Sequence, residues 1–205
     1  MTIGRNCNLR QMILKRRKHV LFLMLVLISL SGVCQVAPLF KVSGDSINGL
    51  TAAREVKMRE TLLLFAKAMN DTSLQNQIGM FPYSYDVPDD PMRKLSPKQV
   101  EEKLFQAEEN YHPGKDNVAN IFWVIVMKKK PLKPHAAVGY GKPGDKIIYT
   151  YSWFFDNASE SEIAGHIAHE WSHKVGFDHR YKPHPGRENT VPYAFGTLIQ
   201  RYIKP

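Results

Sequence analysis

The sequence predicts an α+β domain in which a twisted, mostly parallel sheet packs on helices, and three stretches carry that prediction. Residues 51 to 69 set Leu62, Leu63, Phe65, Ala66 and Met69 at helical spacing with charges opposite, the pattern of an amphipathic helix. Residues 118 to 127 are too continuously apolar and β-branched for a surface helix and read as a buried strand. Ser159 and Glu162 form a capping-box pair, opening a helix that runs to about Val175 and stops at Gly176.

The chain begins with a segment of a different kind. Residues 1 to 34 contain no acid, and Arg5, Arg10, Lys15, Arg16, Arg17 and Lys18 precede an apolar run from Val20 to Val33 that Ser31 and Gly32 help to close. That is the layout of a secretory signal peptide, with cleavage expected near Cys34 to Val36. The run is shorter than the roughly 20 residues of a membrane-spanning helix. The alternatives are an uncleaved anchor or a lipid on Cys34, for which Val33 is a poor neighbour. Either way the membrane is met only through the N-terminus, and the expected destination is secreted, periplasmic or cell-envelope.

Residues 35 to 205 read as a single domain. The whole chain has 28 Lys and Arg against 19 Asp and Glu, and six of the basic residues fall in the first 34 positions, leaving a net charge of only +3 on the rest. That balance calls for no nucleic-acid partner, and Lys128, Lys129 and Lys130 with Lys133 read as a solvated strand end. Cys7 and Cys34 both lie in or beside the export segment, so the domain has no internal disulfide to rely on. Its length suffices to bury close to about 70% of the unfolded chain's surface around one core.

The remaining elements follow in order. Ser96, Pro97 and Gln99 give a helix start whose pattern continues to about Asn110. The interval before it, with Pro82, Pro88 and Pro91, reads as irregular, and Asp86, Asp89 and Asp90 there are turn formers or, alternatively, calcium ligands. Ala136 to Tyr140 and Ile147 to Tyr151 read as a β-hairpin, Pro143 and Gly144 suiting a type II turn between them.

The last predicted helix carries the chemistry. His169 and His173 are four residues apart, so their imidazoles leave the same helix face one turn apart and can reach one metal ion. Gly176 can take the left-handed conformation that ends the helix and turns the chain back, which brings His179 in as a third ligand. Three protein ligands leave a position for water, the arrangement of catalytic rather than structural zinc. Glu170 lies beside the first ligand, where a carboxylate can take a proton from that water and pass it to a leaving amine. A His-Glu-x-x-His pattern arises by chance in roughly one or two of a hundred shuffled chains of this composition, and adding Gly176 and His179 lowers this to a few in a hundred thousand.

His169-Glu170-Trp171-Ser172-His173-Lys174-Val175-Gly176-Phe177-Asp178-His179 resembles the extended zinc motif of the metzincin metallopeptidases, with all five fixed positions matched. The resemblance extends to residues 135 to 151, which look like the antiparallel edge strand and its neighbour that this family places before its active-site helix. It implies a zinc-dependent endopeptidase acting on a protein or peptide, with Zn2+ held by His169, His173 and His179, and a minimal C-terminal subdomain. One family feature is missing, because no methionine follows His179 to make the methionine turn beneath the metal. If Asn189-Thr190-Val191-Pro192-Tyr193 fills that role, Val191 stands where the methionine would, and Tyr193 matches a tyrosine that some subfamilies keep. Tyr193 then either donates to the oxyanion or simply packs.

Other readings stay open at this level. His166 could replace one ligand or support one from behind, and Glu188 could be the carboxylate ligand of a different zinc class. His112, His135 and His184 carry no spacing signal, and Trp171 and Phe177 read as core. The chain could also be an exported zinc-binding pseudoenzyme, a cell-envelope binding module, or a toxin-like peptidase with one protein target.

Overall fold

A computed structural model describes residues 39–48, 50–88, 91–132, 137–141 and 145–204. The segment read as an export signal, with both cysteines, lies outside these residues, as do Asp89, Asp90, Lys133, His135 and the Pro143-Gly144 pair read as a turn. Among them are six α-helices and a four-stranded mixed sheet, an α+β architecture in which residues 38–205 form one unit.

The sheet is built on the predicted apolar strand. Strand β2 (Val118–Val126) sits inside it, with β1 (Lys41–Asn48) parallel on one side and β4 (Ile147–Tyr151) parallel on the other. Strand β3 (Gly139–Gly141) pairs antiparallel with β4 and forms the edge, as the hairpin reading expects. Burial along β2 alternates, so Ala119, Ile121, Trp123 and Ile125 face the helices while the other face is only half-covered. The continuous apolar run thus overstated the burial: one face is core, and on the other Phe122 is covered by Tyr111 and by the Lys146 ammonium. Strand β1 was not legible, since Lys-Val-Ser-Gly-Asp-Ser-Ile-Asn lacks an apolar pattern and is held by main-chain pairing to β2.

The helices pack on the buried face. Helix α1 (Ala52–Met69) is the predicted amphipathic helix, capped by the Thr51 hydroxyl. Helix α2 (Thr72–Met80) falls in the interval read as irregular, where the Asp71 carboxylate caps its first turn through the Ser73 and Leu74 N–H groups. Helix α3 (Pro97–Gln106) opens with the expected capping box but stops earlier than Asn110, because Ala107 turns left-handed at φ 53°. A short helix α4 (Ser152–Asn157) follows β4 directly. Helix α5 (Glu160–Lys174) carries the metal motif, opened by the Ser159 and Glu162 capping box. Helix α6 (Val191–Ile203) occupies the stretch expected to be a turn: Pro192 lies in its first turn, where the missing N–H costs nothing and the fixed φ already suits a helix. The segment after His179 is therefore one loop, a short 3-10 turn (Arg187–Asn189) and this helix.

Two features fix α5. Its Trp171 is fully buried in an aromatic cluster, edge-on to Phe40 and Phe65 at 5.8 and 6.0 Å and beside Phe195. Burying a ring of this size is worth on the order of 2–3 kcal/mol. Along α6 the contact is main chain to main chain: a Cβ on Gly165 would stand 2.8 Å from the Gly196 carbonyl oxygen, and one on Gly196 would stand 2.7 Å from that of Gly165 and 3.2 Å from the His169 Cβ. The two glycines let the helices cross without a side chain between them.

A candidate metal centre

His169 and His173 leave α5 on one face, and the chain turns back at Gly176, whose φ of +106° is open to glycine, to bring in His179. One ligand atom from each of the three rings falls within 4.8 Å of the others, a cluster able to hold a metal ion. The His169 and His179 Nε2 atoms are 3.2 Å apart. Two nitrogens bound to one tetrahedral ion at 2.0–2.1 Å are separated by about 3.3 Å, so this spacing fits a shared metal.

The ring orientations are set from behind. His173 Nδ1 lies 2.8 Å from the Phe177 carbonyl oxygen and His179 Nδ1 lies 3.0 Å from that of Arg180. A carbonyl only accepts, so each Nδ1 carries the proton and each Nε2 lone pair points into the centre. Asp178 contributes as well, its Oδ1 accepting the His179 N–H at 2.8 Å and standing 3.6 Å from His173 Nδ1. Burial holds the His173 imidazole down to about 4 and depresses those of His169 and His179, so all three are in the neutral form a metal needs.

Glu170 is buried next to this cluster. Desolvation pushes its carboxyl up to about 7, against the pull of the Lys174 ammonium and a hydrogen bond from the Gly141 N–H. That bond comes from the edge strand. Tyr151 N–H donates to the Val138 carbonyl at 2.9 Å, and in an antiparallel pair the bonded positions alternate, so Gly139 and Gly141 turn their peptide groups outward from the sheet. Gly139 also admits no side chain, since a Cβ there would lie 2.1 Å from the Tyr149 carbonyl oxygen and 2.7 Å from the His166 ring.

His166 and Glu188, the other candidate ligands, both lie apart from the three clustered imidazoles. His166 stands outside the cluster: its Nε2 is 2.9 Å from the Thr150 hydroxyl, which accepts the Trp123 indole N–H at 2.7 Å, and its Nδ1 is 3.8 Å from Glu170. Glu188 is exposed in the 3-10 turn and is not among the clustered groups. Tyr193 packs its ring against two of the clustered imidazoles, edge-on to His169 at 4.5 Å and tilted on His179 at 4.7 Å. Asp86 anchors the loop beyond His179, accepting the Arg180 N–H at 3.2 Å on each oxygen and meeting His184 Nε2 at 2.9 Å.

Two groups gave no signal in sequence, one buried and one half-buried. Glu109 is sealed in the core, its Oε1 accepting the Asn120 N–H and the Trp171 indole N–H, both at 2.7 Å, and its Oε2 the Asn120 amide at 2.8 Å. Desolvation raises its pKa against these donors. Arg187 lies over the Tyr193 ring, 4.4 Å from the centroid. The three clustered histidines, His166, Glu170, Tyr193 and Arg187 line a cavity of about 980 Å³ bounded by the edge strand, the cleft face of α5, the loop beyond Gly176, and α6. Compared with protein families, with curated proteins and with solved structures, the chain matches none.

Proposed function

We propose that the protein is an exported zinc-dependent endopeptidase of metzincin type. The observation that carries this reading is the convergence of the three imidazoles beside Glu170, on the wall of a cavity whose other wall is a free sheet edge. Three nitrogen ligands with room for water suit zinc, and a purely structural site has no use for Glu170. Zinc bound there supplies Lewis acidity, polarising a peptide carbonyl and acidifying water. Glu170 accepts the proton from the attacking water and returns it to the leaving amine. The outward peptide groups of β3 give an extended substrate main-chain partners, leaving side-chain contacts to set preference. An antiparallel edge strand and its neighbour, followed after one short helix by the helix that carries the three-histidine motif, also support the family resemblance.

The test is metal analysis of residues 35–205 together with cleavage of an unbiased peptide library. His179→Ala leaves two ligands, and zinc content at micromolar free metal falls to near zero while the unsubstituted protein retains about one per chain. Unchanged zinc content in that variant would remove His179 from the ligand set.

Tyr193 is placed in this reading as an oxyanion donor. Burial raises its phenol pKa, so the hydroxyl keeps its proton at neutral pH. Tyr193→Phe keeps the ring that packs on His169 and His179 and removes only the donor. The expected result is about a hundredfold fall in kcat with KM, zinc content and melting temperature unchanged. An unaltered kcat would leave Tyr193 as packing alone.

A further inference from the structure

Arg187 is the single Lys or Arg among the described residues lining the cavity. Its backbone is pinned, the carbonyl accepting both the Thr190 N–H at 3.1 Å and the Thr190 hydroxyl at 2.8 Å. Its guanidinium is held on the Tyr193 ring. Yet its Nε is sealed from solvent with no hydrogen-bond partner, and no carboxylate among the described residues pairs with it.

The acids lining the cavity, and Asp86 near it, hold other partners. Glu162 is bound to Ser159 in the helix cap, and Glu170 lies against the Gly141 N–H. Asp178 holds the His179 N–H, and Asp86 holds Arg180 N–H and His184. The location also opposes a cation, because Arg187 stands just before the N-terminus of α6, where the helix dipole disfavours positive charge, and the metal adds more. A guanidinium held in a cleft with no ion-pair partner among the described residues suits an anion brought by the ligand, and its planar fork matches a carboxylate.

We propose that Arg187 is the receptor for a substrate carboxylate, supplied by a peptide C-terminus or by an acidic side chain near the scissile bond. This rests on the peptidase reading. Arg187 is one ring removed from the ligands, through Tyr193. An extended peptide advances about 3.3–3.6 Å per residue, so a carboxylate one or two residues from the scissile bond reaches it.

The experiment measures binding rather than turnover. Zinc-loaded Glu170→Gln protein is titrated calorimetrically with three probes: one peptide as free acid and as amide, an amidated peptide carrying Glu and its Gln counterpart, and succinate. At least one peptide pair should differ by about tenfold or more, and that preference should shrink below about threefold in Arg187→Gln at unchanged zinc content and melting temperature. The free-acid pair identifies a C-terminal carboxylate and the Glu pair an acidic side chain. Arg187→Lys keeps the charge without the fork; it should retain part of the preference, and it carries the test if Arg187→Gln does not fold. Equal binding within both pairs, or a preference that survives the substitution, overturns the proposal. If no peptide binds but succinate binds in an Arg187-dependent way, the carboxylate site stands and the peptidase reading falls. If neither peptides nor succinate bind, both fall.

Discussion

Replacing Glu170 with Gln leaves metal loading at about one zinc per chain and lowers peptide hydrolysis by roughly 10²- to 10⁴-fold, the range that a positioned general base contributes. The two effects separate because ligand and base are different residues. His173 and His179 keep their Nε2 atoms in place through the Phe177 and Arg180 carbonyls, and His169 packs against the Tyr193 ring, none of which involves Glu170. The Gln carbonyl can still accept the Gly141 N–H, so the contact to the edge strand survives. What is lost is the negative oxygen that takes a proton. Zinc measured by plasma emission and cleavage rates on the same preparation decide the matter. Hydrolysis at the unsubstituted rate would sink the mechanism, and loss of zinc would show that Glu170 supports the metal rather than the reaction.

The largest effect on stability is expected away from the cavity, at Glu109. This carboxylate is met by donors: the Asn120 N–H, the Asn120 amide, the Trp171 indole and the Tyr111 hydroxyl. An acceptor-only group is the one kind of side chain that satisfies them all. Glu109→Gln preserves the shape but turns an NH2 group toward a donor, leaving at least one buried N–H unanswered, at a cost of about 2–4 kcal/mol. For a domain of this length that lowers Tm by roughly 5–15 °C. Thermal unfolding of the zinc-loaded variant reads it directly. A Tm within a degree or two of the unsubstituted protein would mean that the site relaxes or admits water, and that the carboxylate is not a keystone between β2 and the metal helix.

How much of this was legible in the sequence depends on how local its cause is. The metal helix was readable because its signals are short-range: a capping box at Ser159 and Glu162, histidines four apart, and a glycine where the backbone must turn left-handed. The edge hairpin was readable for a similar reason, as two alternating runs close in sequence. Strand β1 was not, because its polar stretch is a strand only by virtue of β2 beside it. Helix α6 was hidden by Pro192, which signals a turn and a first helical turn equally well, and only the packing of Val191, Ala194, Phe195 and Ile199 decides. Glu109 and Arg187 carry no periodic or motif signal. Each matters because of what tertiary structure does or does not place beside it: donors 11 and 62 residues away for the first, and no ion-pair partner among the described residues for the second.

The contact between Gly165 and Gly196 bears on how this chain can change over time. Two main chains touch there, and a methyl group on either residue meets a carbonyl oxygen of the other helix at under 3 Å. A side chain at one position cannot be offset by a smaller one at the other, since both are already at the smallest size available. Any lineage that widens this crossing moves His169 on α5 away from Tyr193 and Arg187 on the α6 side, so that the proposed metal affinity, transition-state contacts and anion recognition would drift together. Most core positions offer neutral steps through compensating neighbours, but these two offer none, and variation in the cleft is channelled into the loop after Gly176 and the rim of β3.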